Sequence, residues 1–258
     1  MEFFYRKFKG REVNIYPLGD WHIGSRQCNE DFVRKVVGIV KDDPIGYWIG
    51  MSDFMENALI GSKSDVYTQT MPPREQMEHI CDIMAPIASK GLWTIAGNHE
   101  ERTMRVAGIR PEEFIAAKLN IPFMGFSVMG VLELDRVRGP YRFSVFCHHN
   151  YGGGYTVGGK ANRAEGLRKI VPTADATFSG HFHITSRIPY TWFEAGETQV
   201  IKRTGYDYIT GSALTWNESY AEEKAKPAAS VEHIKVTFGV QNVSGNDGRY
   251  QKYEVITA

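Results

Sequence analysis

Five short apolar runs in this chain stop at the same kind of residue. "VNIYPLGD" leads into Asp20 and His22, "IGYWIGMSD" into Asp53, and "LWTIAGNHEE" contains Asn98 and His99. "YRFSVFCHH" ends on His148 and His149, and "ATFSGHFH" on His181 and His183. Short apolar runs closed by glycine and polar residues read as buried strands. In open α/β sheets, sites form at the carboxyl ends of strands. Five strand ends carrying Asp, Asn and His therefore describe a site, and the fold has to bring those ends together.

Helices fill the intervals of the first half. In "DFVRKVVGIVKDD" the apolar residues Phe32, Val33, Val36, Val37 and Val40 fall at helical spacing. "PREQMEHICDIMAPIASKG" reads as a helix ended by Gly91, and "PEEFIAAKLN" as one opened by Pro111 and acidic residues. Strand-helix alternation predicts a sheet with substantial parallel character. The second half is richer in strands: "VLELDRV", "TQVIKRTG" and "YDYITGSA" join the histidine-bearing pieces, with one helix at "NRAEGLRKIV". "EEKAKPAAS" reads as a polar connector. "VEHIKVTFGV" to "QKYEVITA" reads as a terminal pair of strands. The expectation is one α/β domain over 1–258, with a C-terminal strand-rich extension at about 230–258.

Composition excludes several classes. The 258 residues suffice for a large core. Lysine plus arginine balance aspartate plus glutamate at 30 each, so no global charge advertises a nucleic-acid or acidic partner. Cys28, Cys81 and Cys147 are far apart and odd in number, which argues against a disulfide framework. "MEFFYRKFKG" lacks the apolar run of a signal peptide, and no apolar run approaches the roughly 18 residues of a membrane span. A cytoplasmic protein without a membrane partner is expected.

Taken alone, Asp20 and His22 fit a turn aspartate and a partly buried histidine equally well. His181 and His183, two apart in an extended segment, share a face and can reach one centre. The ordered set GDWH, SDFMEN, GNHE, HH and GHFH resembles the calcineurin-like metallophosphoesterase superfamily from about Val13 to Ser212. Within it the chain looks closest to bacterial and phage-type phosphoesterases and the nuclease branch. The resemblance implies a four-layer α/β/β/α sandwich and two divalent cations that hold a nucleophile and a phosphate group in line. Asp20, His22 and His183 would complete one metal site, Asn98, His148 and His181 the other, and Asp53 would bridge them. Alternation along the strand sends His149 to the opposite face from His148. Imidazole, carboxylate and amide donors suit manganese, and also iron, zinc or nickel.

The resemblance also implies that His99 assists the leaving oxygen and that Glu56 orients it. A carboxylate partner would keep that imidazole protonated at neutral pH. Ser52 precedes Asp53 where the family usually has glycine, and the run Ser52 to Asn57 lacks the phosphate-clamping arginine of protein phosphatases. Arg102 and Arg105 would then contact phosphate, or form surface ion pairs on a loop. The glycine-rich "NYGGGYTVGGKANR", with Lys160 and Arg163, reads as a mobile lid or as a plain flexible loop. Tyr67, Tyr151, Tyr155, Trp192 and Phe193 would stack on bases or belong to the core. The expected function is hydrolysis of a phosphodiester in DNA, RNA or a nucleotide. A phosphomonoesterase acting on small metabolites and a non-catalytic metal-binding scaffold are the alternatives. The sequence does not give the oligomeric state.

Overall fold

Strand β2 (Glu12–Gly19) is buried at every residue after the first, and β3 (Gly46–Ser52) at all but one. Both therefore have cover on two faces. In β2, Val13 and Ile15 face one hydrophobic cluster while Tyr16 and Leu18 face another, as period-two alternation requires. Helix α1 (Glu30–Asp42) starts where the Asn29 side chain accepts the Phe32 amide at 3.0 Å. Its four valines are poor intrinsic helix formers, so its apolar face against the sheet holds it in place. At its far end Lys90 Nζ donates to the carbonyls of Val40, Lys41 and Asp43 at 2.6–2.8 Å, a cation on exposed C-terminal carbonyls.

These features come from a computed structural model, which describes the chain except residues 63, 136–138, 153, 155, 217–221, 223, 224, 226–229, 244 and 245. Tyr155 and most of the "EEKAKPAAS" connector lie outside the described residues. The helix expected over 73–91 divides into α2 (Pro73–Met84) and a 3-10 turn at Ala85–Lys90. Pro86 lacks the amide proton an α-helix needs there. The remaining elements are β1 (Glu2–Lys7), β4 (Gly91–Thr94), α3 (Glu101–Ala107), α4 (Pro111–Leu119), β5 (Ser127–Leu134), β6 (Tyr141–His148), α5 (Val157–Glu165), β7 (Ala176–Ser179), β8 (Thr185–Ala195), β9 (Val200–Ser212), β10 (Glu232–Val243) and β11 (Asn246–Thr257). No helix among the described residues is long and apolar enough to cross a membrane.

The result is a mixed α/β fold with few helices and a curled central sheet, in the order β1-β5-β6-β7-β9-β10-β2-β3-β4, with β11 on β10 and β8 on β9. Strands β2, β3 and β4 are mutually parallel, and so are β6, β7 and β9. Strand β10 is antiparallel to both β2 and β9. All six parallel strands consequently run the same way, and their carboxyl ends share one edge. Strand β10 meets β9 through only two residue pairs. The halves fold toward each other about that join and share a cluster that includes Ile15, Ile49 and Trp93 from one half and Val145, Phe178 and Tyr208 from the other. Helices α1, α2 and α4 cover the outer face of β2 and β3. Leu167 and Val171, just after α5, cover Phe146.

The segment expected as an extension enters the middle of the sheet. Phe238 of β10 is fully buried, with its ring 5.3 Å from Phe143 of β6 across the shared cluster. Phe238→Ala should lower unfolding free energy by about 3–5 kcal/mol in chemical denaturation. A loss below about 1 kcal/mol would mean that β10 is an addition to a core that stands without it.

Candidate metal centre

Beyond the strand ends, the first two loops continue to pair. The amide of Asp20 donates to the Ser52 carbonyl at 2.8 Å, those of Trp21 and His22 to the Asp53 carbonyl at 3.0 and 3.1 Å, and that of Ile23 to the Phe54 carbonyl at 2.8 Å. To keep pairing while turning inward, the backbone enters the left-handed region. Positive φ occurs at Asp20, His22, Ser52, Asp53, His181 and His183, all of them non-glycine residues at these ends. Each such residue costs about 1–3 kcal/mol, so the surroundings hold these side chains in place against local preference.

Asp20 and Asp53 lie at the middle, with 0 and 1 % exposure. The Asp20 oxygens accept the His181 amide at 2.9 and 3.1 Å, and Asp20 Oδ1 is 3.3 Å from His183 Nε2. His183 Nε2 in turn lies 3.3 Å from His22 Nε2. Asp53 Oδ1 accepts the His99 amide at 2.9 Å, and Asp53 Oδ2 is 3.0 Å from His149 Nε2. The donor atoms fall into three groups that could hold a metal ion: Asp20, His22 and His183; His22, Asp53 and His99; Asp53, His149 and His181. Of the residues expected as ligands, Asp20, His22, Asp53, Asn98, His181 and His183 are thus brought together.

His148 is not among them, and His149 stands in its place. Val145 and Cys147 of β6 face the cluster shared by the two halves, whereas Phe146 faces the other side. Alternation continues past the strand and turns His149 inward, while His148 keeps the parity of Phe146. His148 Nδ1 accepts the Asn150 amide at 2.7 Å. The expected alternation holds, but its parity is the reverse of the one the resemblance suggests.

The donor atoms around Asn98 fit a cation. Its Oδ1 lies 3.1 Å from His149 Nε2, and the same amide end is 3.2 Å from Asp53 Oδ2 and 2.6 Å from His181 Nδ1. His149 Nδ1 is committed to the Met51 carbonyl at 2.6 Å, which turns Nε2 to this centre. Four lone-pair donors on one point repel unless something positive joins them. A cation would join all four. Without one, a turned Asn98 amide can donate its two hydrogens among the other three, or a proton can sit on His149. Burial disfavours that proton, but the charge of Asp53 outweighs it and pushes the imidazole up to about 10. Burial and the charge of His149 lower His181 to about 4.

His99 departs from expectation. Burial, and then the positive charge on His22, lower it to about 3, so it is neutral at physiological pH. Its Nδ1 bonds the backbone carbonyl of Glu56 at 2.7 Å, and its Nε2 receives Arg102 Nη2 at 3.0 Å. The Glu56 carboxylate does not supply the protonating partner. It lies 3.7 Å from His99 Nδ1 and 3.2 Å from His22 Nδ1. Arg102 is held by the carbonyls of Glu56 and Asn57 and by Ser64 Oγ at 2.9–3.3 Å. Arg105 is an exposed partner of Glu101 on α3, away from these contacts.

Sequence reasoning gave Glu100 no role, although it stands inside GNHE. Fully buried, it accepts the amides of Asp53, Phe54 and Met55 at 2.9–3.4 Å and so fixes the turn that carries Asp53. Burial and the charge of Asp53 push its carboxyl well above the usual range. Gly97 leaves room for this: a Cβ there would sit 2.4 Å from Asp53 Oδ1 and 2.5 Å from Glu100 Oε2. The glycine-rich segment contains α5, begun by Thr156 Oγ1 accepting the Gly159 amide at 3.1 Å.

No family profile and no curated protein matches the chain. Among solved structures, Vacuolar Protein Sorting 29 from Cryptosporidium parvum is similar at a TM-score of 0.42 and 11 % identity, over 96 % of this chain and 100 % of that one. A conserved uncharacterized protein from Streptococcus pneumoniae TIGR4, described as a predicted phosphoesterase, is similar at 0.37 and 10 %, over 93 % and 98 %. Likeness this slight bears on neither the site nor the reaction.

A histidine binds metal only as neutral imidazole, whereas Asp53 holds His149 protonated up to about 10. Below that pH, metal binding has to displace its proton, so affinity should rise with pH. At pH 8, binding of Mn²⁺ should release about one proton or more per chain, read by calorimetry in buffers of different ionisation enthalpy. A heat independent of buffer would contradict this arrangement.

Proposed function

We propose that the chain is a metal-dependent phosphoesterase of the calcineurin-like type, holding two divalent cations and hydrolysing phosphodiester bonds in nucleic acid or nucleotides. The observation that carries this reading is the position of Asp53. Its carboxylate groups with His149 and His181 on one side, and on the other with His22, which also groups with Asp20 and His183, as a carboxylate shared by two cations would. Asp20, His22 and His183 hold one ion in this reading; Asn98, His149 and His181 hold the second. The helix cover on both outer faces of the curled sheet suits the α/β/β/α layering that goes with this type.

Such a donor set suits manganese, with iron, zinc or nickel as alternatives. Two such ions bound there would supply an activated water and neutralisation of charge on the phosphate. The chain's own groups do the rest. Neutral His99, fixed through its Nδ1–H, accepts Arg102 Nη2, so the ready positive charge on that side belongs to Arg102. We assign to Arg102 the contact with the phosphate or leaving oxygen, and to His99 the positioning of that guanidinium. One half-buried guanidinium beside the site matches the single negative charge of a diester. Arg105, exposed and paired on the surface, takes no part.

The test compares bis-p-nitrophenyl phosphate with p-nitrophenyl phosphate in Mn²⁺. The diester kcat/KM should exceed that of the monoester by about 10-fold or more, at least about 1.4 kcal/mol in the barrier. Asp53→Asn should lose at least about 100-fold. His149→Ala should lose metal and activity together, and His148→Ala should keep both. Preference for the monoester would point to a phosphomonoesterase. Metal binding without hydrolysis of either ester, or of nucleic acid, would leave a scaffold.

A further inference from the structure

The Glu56 carboxylate and the histidine it was expected to orient are mismatched. His99 has one Nδ1 proton, and the Glu56 backbone carbonyl takes it at 2.7 Å. The Glu56 side chain turns instead toward His22, with Oε2 3.2 Å from Nδ1. His22 is 2 % exposed, and its Nδ1 has no completed hydrogen bond. Its other nitrogen, Nε2, faces His183 Nε2 at 3.3 Å in the group with Asp20. The backbone fixes the approach. The Glu56 amide donates to the Ile23 carbonyl at 2.8 Å, and Ile23 bridges Met55, so the two loops are joined next to both side chains.

We propose that Glu56 is the positioning residue of His22: its carboxylate takes the Nδ1 proton and leaves the Nε2 lone pair to the cation held with Asp20 and His183. A ligating imidazole needs its second nitrogen protonated, and a carboxylate acceptor fixes that tautomer and the ring orientation. His99 does not depend on the Glu56 side chain. The inference rests on the metal-centre reading above and concerns the Asp20 side of that centre.

Titration with Mn²⁺ followed by calorimetry tests it in the full chain. Wild type should bind two ions. Glu56→Gln should weaken one site by about 10–100-fold and leave the other unchanged. Glu56→Ala should lose more than Glu56→Gln, because the amide oxygen can still accept from Nδ1. A double-mutant cycle separates the two histidines: the loss should persist in a His99→Ala background, and its disappearance there would return Glu56 to His99. Unchanged affinity in Glu56→Gln, with wild type binding two ions, would overturn the inference and leave the metal-centre reading standing. Absence of binding by wild type would overturn both. A long-range ¹H–¹⁵N spectrum of the Zn²⁺-loaded wild-type protein needs no variant. It should show His22 protonated at Nδ1; protonation at Nε2 would overturn the assignment.

Discussion

Two carboxylates buried side by side set the terms for the rest of this molecule. Asp20 and Asp53 have essentially no contact with water, and an ionised carboxylate in such a place is costly unless charge and hydrogen bonds compensate it. Compensation arrives from the loops after β4, β6 and β7. Backbone amides of His181 and His99 bond the oxygens directly. Burial would raise both acids, but His183 and His149 reverse this at Asp20, and His149 and His22 hold Asp53 well below the usual range. Glu100 secures the turn from behind. The left-handed backbone at the loop residues follows from the same demand, because only inward turns place these groups on one point.

The sheet makes that convergence available. Because β10 runs antiparallel to both β2 and β9, two parallel halves share one direction, and loops far apart in sequence open at the same edge. Such a connection cannot be read from local pattern. The strands β2, β3 and β6 were legible because each is an apolar run closed by polar residues. Strand β8 alternates half-buried with exposed residues and carries Pro189, and β1 is exposed along most of its length, so neither signals burial. Helix α3 buries no residue at all. The helix expected over 162–171 starts earlier, as α5, and passes into a 3-10 turn at Gly166–Lys169; Gly158 and Gly159 hide its first turn from propensity, and its Thr156 cap was the available sign.

Within the site, residue type was legible and side-chain direction less so. Spacing alone put His181 and His183 on one face; that Asp20 and His22 join His183 was implied only by the resemblance of the ordered motifs. The exchange of His148 for His149 turned on the parity of one strand, which Val145 and Cys147 could have indicated as the more continuously apolar face. Glu56 and His99 were paired through side chains, whereas the structure pairs them through a backbone carbonyl, a contact no residue pattern announces. Glu100 was visible as an acid inside a motif, but its three amide partners lie 45–47 residues away.

In the proposed centre these side chains surround two cations with Asp53 between them. Anomalous diffraction from crystals grown with Mn²⁺ tests it most directly. Two peaks should flank the Asp53 carboxylate, one in reach of Asp20, His22 and His183, the other of Asn98, His149 and His181. A single peak, none, or a peak coordinated by His148 in place of His149 would contradict it.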